Sequence, residues 1–241
     1  MSLLGQPLHA PPMSREARSK ADADLIAARA ALAKDPTNAD VVLALTRADL
    51  ALGHVGDALE HLTRGIEAKP EDARLYLERG RGFIVIRKFP VAEKDFSKAA
   101  ETLPAAYCGL GLAQYLAADF THARESYAKC AEPGIFAYLA DRRTRQPARP
   151  RPAVSPDPAS STTEDIKLPG SVSSKAAASR TPMAERYMDA VDDLMAGKTD
   201  AAKDRLKQIV ERHRNDWMNP VYIAAEADYA KIFKIKAKGR R

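Results

Sequence analysis

The sequence predicts an all-α protein, built as a short α-solenoid of helix-turn-helix repeats with further helices after a linker. Two observations predict this fold. Prolines recur every 34 residues, at Pro36, Pro70 and Pro104. Between them, apolar residues recur at the three-to-four spacing of amphipathic helices. Each proline is therefore expected to end one helical hairpin, so that the next hairpin can stack on it.

The first unit shows the hairpin pattern most clearly. Its apolar residues fall in two runs, within 41–48 and 55–66, and Gly53 and Gly56 lie between the runs. Glycines between two runs of helical periodicity indicate a tight turn. The unit is therefore predicted to be two antiparallel helices, the second of which stops before Pro70.

The later units keep this register. Matching positions of the first two units lie 34 residues apart: Val55, Ala58, Leu62 and Asn38 recur as Phe89, Ala92, Phe96 and Asp72. Asn38 and Asp72 are predicted to cap the first helix of each unit, because their side chains can accept hydrogen bonds from free backbone N–H groups. The third unit carries Phe120, Ala123 and Tyr127 only 31 residues after their counterparts. It is therefore shortened at its start.

These units resemble the tetratricopeptide repeat, which has a period of 34 residues and the signature W-x2-L-G-x2-Y…A-x3-F…P. The signature positions hold Val42, Leu45, Thr46, Asp49, Ala58, Leu62 and Pro70 in the first unit, Tyr76, Arg79, Gly80, Phe83, Ala92, Phe96 and Pro104 in the second, and Tyr107, Leu110, Gly111, Gln114, Ala123 and Tyr127 in the third. The resemblance covers residues 38–133. It implies that small residues let the two helices of a unit approach closely while an aromatic ring fills the remaining space.

The domain organisation follows from the repeats and from shifts in composition. The predicted segments are a flexible N-terminus (1–13), a capping helix (14–35), repeats (about 39–72, 73–104 and 105–133), a second capping helix (134–145), a disordered linker (146–182), a C-terminal helical segment (183–236) and a basic tail (237–241). Capping helices are expected because terminal repeats expose an apolar flank. The linker is rich in Pro, Ser and Ala and has too few large apolar residues to form a core.

The C-terminal segment is predicted to contain a diverged hairpin and one more helix. Gly197 precedes Ala202 by five residues, as Gly53 precedes Ala58. Whether this hairpin docks on the repeats or stands apart is left open by the sequence. Trp217, the single tryptophan, is predicted to be a core residue.

The sequence contains no recognisable catalytic, cofactor-binding or metal-binding motif. Its histidines, His9, His54, His61, His122 and His213, form no pair at i, i+4 spacing. It also lacks C-x-x-C, H-E-x-x-H and G-x-S-x-G motifs. We therefore expect no enzymatic activity, no cofactor and no metal.

Cys108 and Cys130 are expected at the same end of one antiparallel hairpin, where they could lie close together. Two buried thiols and one disulfide are both compatible with the sequence.

Function is therefore expected at a surface. In the tetratricopeptide repeat family, residues of each first helix line a concave groove that binds extended peptides or helices. Carried onto this sequence, the predicted groove consists of Asp40, Leu43, Arg47, Leu50, Arg74, Leu77, Arg81, Ile84, Leu112 and Tyr115. Apolar side chains beside arginines would suit an acidic, amphipathic partner. The alternative is that Leu43, Leu77 and Ile84 pack between neighbouring repeats.

The resemblance thus implies a non-enzymatic scaffold that binds a protein or peptide. Two alternatives remain. One is self-association through exposed repeat edges, giving a homo-oligomer. The other is association with nucleic acid or an anionic surface through the C-terminal part, because 20 basic and 19 acidic residues lie in 1–145, leaving 18 and 13 of the totals of 38 and 32 in 146–241.

The sequence gives little information on localisation. It has no apolar run long enough for a membrane helix. Its start lacks the basic region and long apolar core of a complete signal peptide. We therefore expect a cytoplasmic protein, with a truncated signal peptide as the open alternative.

Overall fold

The computed structural model describes residues 2–6, 13–153 and 183–233. These residues form α-helices, one short 3-10 helix at 214–216 and no strand. The helices are α1 (Arg15–Lys34), α2 (Ala39–Ala51), α3 (Val55–Ala68), α4 (Ala73–Val85), α5 (Phe89–Ala100), α6 (Ala106–Leu116), α7 (Phe120–Ala128), α8 (Gly134–Arg143), α9 (Met183–Met195), α10 (Thr199–Arg212) and α11 (Pro220–Ile232). The predicted all-α repeat architecture is confirmed.

The helices pair as the 34-residue register predicts. The three hairpins are α2 with α3, α4 with α5, and α6 with α7, and each packs on the next. Helix α1 covers α2 at one end of the stack, and α8 packs on α7 at the other. Helices α9 and α10 form the additional hairpin, and α11 packs on both and also contacts α6.

The first helices of the first two repeats have the predicted caps, and α1 has a cap of the same kind. The side chains of Ser14, Asn38 and Asp72 each accept a hydrogen bond from a backbone N–H group of the following first turn. Pro90 lies in the first turn of α5, where its missing N–H removes no helical hydrogen bond.

The turn inside each hairpin also repeats. Gly53 has a φ of 80°, and the equivalent positions of the next two hairpins, Arg87 and Ala118, have φ values of 62° and 66°. Glycine adopts this left-handed conformation freely, whereas a residue with a side chain does so only when its surroundings hold it there.

Glycine and aromatic residues fill the interior of the second and third hairpins. A Cβ atom on Gly80 would lie 2.9 Å from the Phe96 ring, and a Cβ on Gly109 would lie 2.5 Å from the same ring. Gly111 stands in the same relation to Tyr127, at 3.0 Å. Larger residues at these glycines would collide with the rings, as the close packing implied by the family signature requires.

Two polar residues at signature positions have specific partners in the neighbouring helix. Arg79, at a leucine position of the signature, donates hydrogen bonds of 2.8 Å to each carboxylate oxygen of Asp95. Gln114 accepts a hydrogen bond of 2.7 Å from the Ser126 hydroxyl and donates one to Glu93. These bonds explain how Arg79 can occupy a leucine position of the signature and Gln114 a tyrosine position.

Cys108 and Cys130 form a disulfide, which joins α6 to the end of α7. The sequence left this pairing open. The bond links the two ends of the shortened third hairpin, where the closing proline pattern of the first two units is weakest.

Two segments that were expected to be free of the fold make specific contacts. The Leu3 N–H donates a hydrogen bond to Glu226 of α11, so the first residues are held against the core. Arg149 and Arg151, at the start of the predicted linker, form ion pairs with Asp141 and Asp189. The remainder of the linker and the basic tail lie outside the described residues.

Among the helices of the described residues, none combines the length and apolar character that crossing a membrane requires.

Candidate partner-binding surface

Half of the predicted groove residues are buried rather than exposed. Leu43, Leu50, Ile84, Leu112 and Tyr115 are each at most 4% exposed. Leu43 packs with Leu75 of the next unit, and Leu50 and Ile84 belong to the main core. These five positions hold the units together, so assigning them to an open groove was wrong.

The other predicted groove residues lie on α2 and α4. Asp40, Arg47 and Arg74 are exposed, while Leu77 and Arg81 are partly exposed. Arg74 is the 34-residue equivalent of Asp40, Leu77 of Leu43, and Arg81 of Arg47. We call Asp40, Arg47, Arg74, Leu77 and Arg81 the α2–α4 surface.

Ion pairs organise part of this surface. The Arg74 guanidinium lies 2.6 Å from a carboxylate oxygen of Asp40 and 2.7 Å from one of Asp72. Its hydrogen bonds lower the pKa of Asp72 below the usual aspartate value. Arg81 pairs with Glu78 at 2.6 Å. The Asp40–Arg74 pair shows that equivalent positions of adjoining units lie side by side.

The equivalent surface of the third repeat is covered by the chain itself. The Tyr115 hydroxyl lies 3.2 Å from the Tyr187 hydroxyl of α9, and its ring packs edge-on against Phe136 of α8. Tyr187 also donates a hydrogen bond of 2.8 Å to Asp228 of α11. Complete burial raises the pKa of both Tyr115 and Tyr187 above the ordinary tyrosine value. Helices α8, α9 and α11 therefore occupy the place where the sequence predicted a groove around Leu112 and Tyr115.

Helix α11 is fixed by charged contacts that sequence reasoning missed. Glu226 forms a fully buried ion pair with Arg87 in the α4–α5 turn, at 2.8 Å. Arg143 of α8 pairs with Asp228. The partners are 139 and 85 residues apart in the sequence, so no local pattern could reveal them.

The comparison with known families agrees with this architecture. Residues 25–79, from the middle of α1 to the middle of α4, match a family model described as the tetratricopeptide repeat. This segment of the chain is similar to the tetratricopeptide repeat. No curated protein matched the chain. Tetratricopeptide repeats generally mediate protein–protein interaction, and the family is typically non-catalytic.

The family match includes most of the α2–α4 surface. It ends at Arg79, two residues before Arg81, and it does not reach the third repeat.

Proposed function

We propose that this protein is a non-enzymatic scaffold that binds an acidic, amphipathic segment of a partner protein on the α2–α4 surface. The proposal rests on the placement of Arg47 and Arg81 at equivalent positions of adjoining first helices, with Leu77 one turn before Arg81 on α4. Arginine binds carboxylates through paired hydrogen bonds, and a leucine adds apolar contact.

The covered third repeat supports the same assignment. Because α8, α9 and α11 occupy the surface around Tyr115, a partner has less access there than at α2 and α4. The C-terminal helices would then limit the binding surface to the first two repeats, rather than carry a second site.

The test begins with capture of partners by the full chain and identification by mass spectrometry. The dissociation constant of a purified partner is then measured for the wild type, for Arg47→Glu/Arg81→Glu, and for the control Arg64→Glu. Arg64 is exposed on α3, where it pairs with Glu60. We expect the double variant to weaken binding at least about tenfold and the control to leave it unchanged. Equal affinity of the wild type and the double variant would show that the α2–α4 surface does not bind the partner.

The two alternative functions that the sequence suggests, nucleic-acid association and self-association, remain predictions. Nucleic-acid association would depend on the basic tail, which lies outside the described residues, and deletion of 231–241 would then abolish a salt-sensitive complex. Self-association would show as a mass that rises with concentration in light scattering.

The disulfide bears on localisation. Disulfides persist in oxidising compartments and are rare in the cytosol. We therefore infer that the protein works in an oxidising compartment, against the cytoplasmic expectation from the sequence. Alkylation of thiols in freshly lysed cells tests this inference, because a paired Cys108 and Cys130 would remain unlabelled until reduced.

A further inference from the structure

Asp49 of α2 is a fully buried acid with unusual surroundings. Its side chain has no exposed surface, and neither carboxylate oxygen accepts a hydrogen bond from the described residues. Burial raises its pKa, an effect that nearby His61, His54 and Arg29 oppose. A buried carboxylate without hydrogen bonds is costly, and the ion-pair partners of Asp49 lie at 3.5 to 4.0 Å.

The third repeat provides an internal comparison. Gln114 occupies the same signature position as Asp49, and its amide is hydrogen-bonded to Ser126 and Glu93. A polar residue at this position can therefore be satisfied by the protein alone. Asp49 is not satisfied in this way.

The groups nearest to Asp49 are metal-ligand types. His54 Nδ1 lies 3.5 Å from Oδ1 of Asp49, and His61 Nε2 lies 3.6 Å from Oδ2. One ligand atom each of Asp49, His54 and Asp57 lies within 4.8 Å of the other two. Arg29 stands farther away, at 4.0 Å, and is more than half exposed.

The distance between His54 and Asp49 is longer than a normal hydrogen bond and fits two ligands of one ion. A normal N–H···O bond measures about 2.7–3.2 Å between heavy atoms. Two ligands that each lie about 2.1 Å from a tetrahedral Zn²⁺ ion are about 3.4 Å apart. The spacing of His54 and Asp49 thus matches that of two ligands on one ion.

The hairpin turn holds these residues in place. The His54 N–H donates a hydrogen bond of 2.8 Å to the Asp49 carbonyl, which fixes the end of α2 against the start of α3. The His54 side chain makes no capping hydrogen bond, and it is 42% exposed. Asp57 follows one turn later, and its exposed side chain can adjust to an ion. The group is therefore open to solvent at His54 and Asp57.

We propose that Asp49, His54 and Asp57 bind one Zn²⁺ ion, with solvent completing the coordination. Two carboxylates balance the charge of the ion, so the buried Asp49 is neutralised. The ion would join α2 to α3 and stabilise the first repeat. No local sequence motif marks this group, because its ligands come from both sides of a turn and not from one helix.

The test uses the full chain after removal of metal by a chelator and dialysis. Zn²⁺ is titrated calorimetrically at neutral pH, and thermal unfolding is followed with and without the ion. We expect one saturable site per chain and a higher Tm with Zn²⁺. His54→Ala and Asp57→Asn should weaken binding at least about tenfold and remove the rise in Tm. Both residues are exposed enough for these variants to keep the fold.

His122→Ala is the matched control. His122 is also exposed, and its Nδ1 lies 2.7 Å from a carboxylate oxygen of Asp119, so it tests for nonspecific binding at a surface His–Asp pair. The control should leave the affinity unchanged. Absence of saturable binding would overturn the proposal. Equal affinities of the wild type, His54→Ala and Asp57→Asn would overturn it as well.

Discussion

Arg87 and Glu226 form an ion pair of 2.8 Å although 139 residues separate them in the sequence. Their side chains are 2% and 0% exposed. The other carboxylate oxygen of Glu226 accepts a hydrogen bond from the Leu3 N–H. Three distant parts of the chain therefore meet at one carboxylate: the N-terminal residues, the α4–α5 turn and α11.

Replacement of Glu226 by alanine is expected to destabilise the protein by about 3 to 5 kcal/mol, because it leaves the Arg87 guanidinium buried without its partner. Urea denaturation followed by circular dichroism measures this change. Glu60→Ala is the control, since Glu60 forms an exposed pair with Arg64 that should contribute less than about 1 kcal/mol. Equal stabilities of the two variants would show that the Arg87–Glu226 pair does not anchor α11.

Replacement of Gly109 by alanine is expected to lower the free energy of unfolding by about 1 to 3 kcal/mol, because the new Cβ would lie 2.5 Å from the Phe96 ring. Gly56→Ala is the matched control. A Cβ there would meet no atom within 4 Å, and alanine favours the helix, so stability should stay equal or rise by up to about 1 kcal/mol. If chemical denaturation gave Gly109→Ala and Gly56→Ala the same free energy of unfolding, it would contradict the close packing of α6 against Phe96.

Reduction of the Cys108–Cys130 disulfide is expected to cost about 2 to 4 kcal/mol, because the bond closes a loop with a sequence separation of 22 residues and restricts the unfolded chain. The measurement compares the Tm of the wild type with and without reductant. The Cys108→Ala/Cys130→Ala variant should have a lower Tm than the wild type without reductant, and its own Tm should not respond to reductant. A wild-type Tm that does not respond to reductant would contradict the bond.

The repeats could be predicted from the sequence because their signals are local. Proline spacing, the caps at Asn38 and Asp72, and the pairing of glycine with aromatic residues all act within one hairpin or between neighbours. Trp217 is buried, as its size and apolar character predicted.

The surface was predicted less well because burial depends on distant segments. Nothing near Tyr115 in the sequence indicates that Tyr187 will cover it, since the docking of α9 and α11 is set by side chains scattered over the chain. The signature position of Asp49 does not predict the group of side chains around it either. Its environment forms only when the turn brings His54 and Asp57 beside it.

Hydrogen exchange of the full chain, with and without a purified partner, tests the central claim most directly. Binding on the α2–α4 surface predicts that the partner slows exchange in 39–51 and 73–85, while 106–116 and 220–232 change little. Slowed exchange confined to the C-terminal helices, with no change in α2 and α4, would contradict the claim.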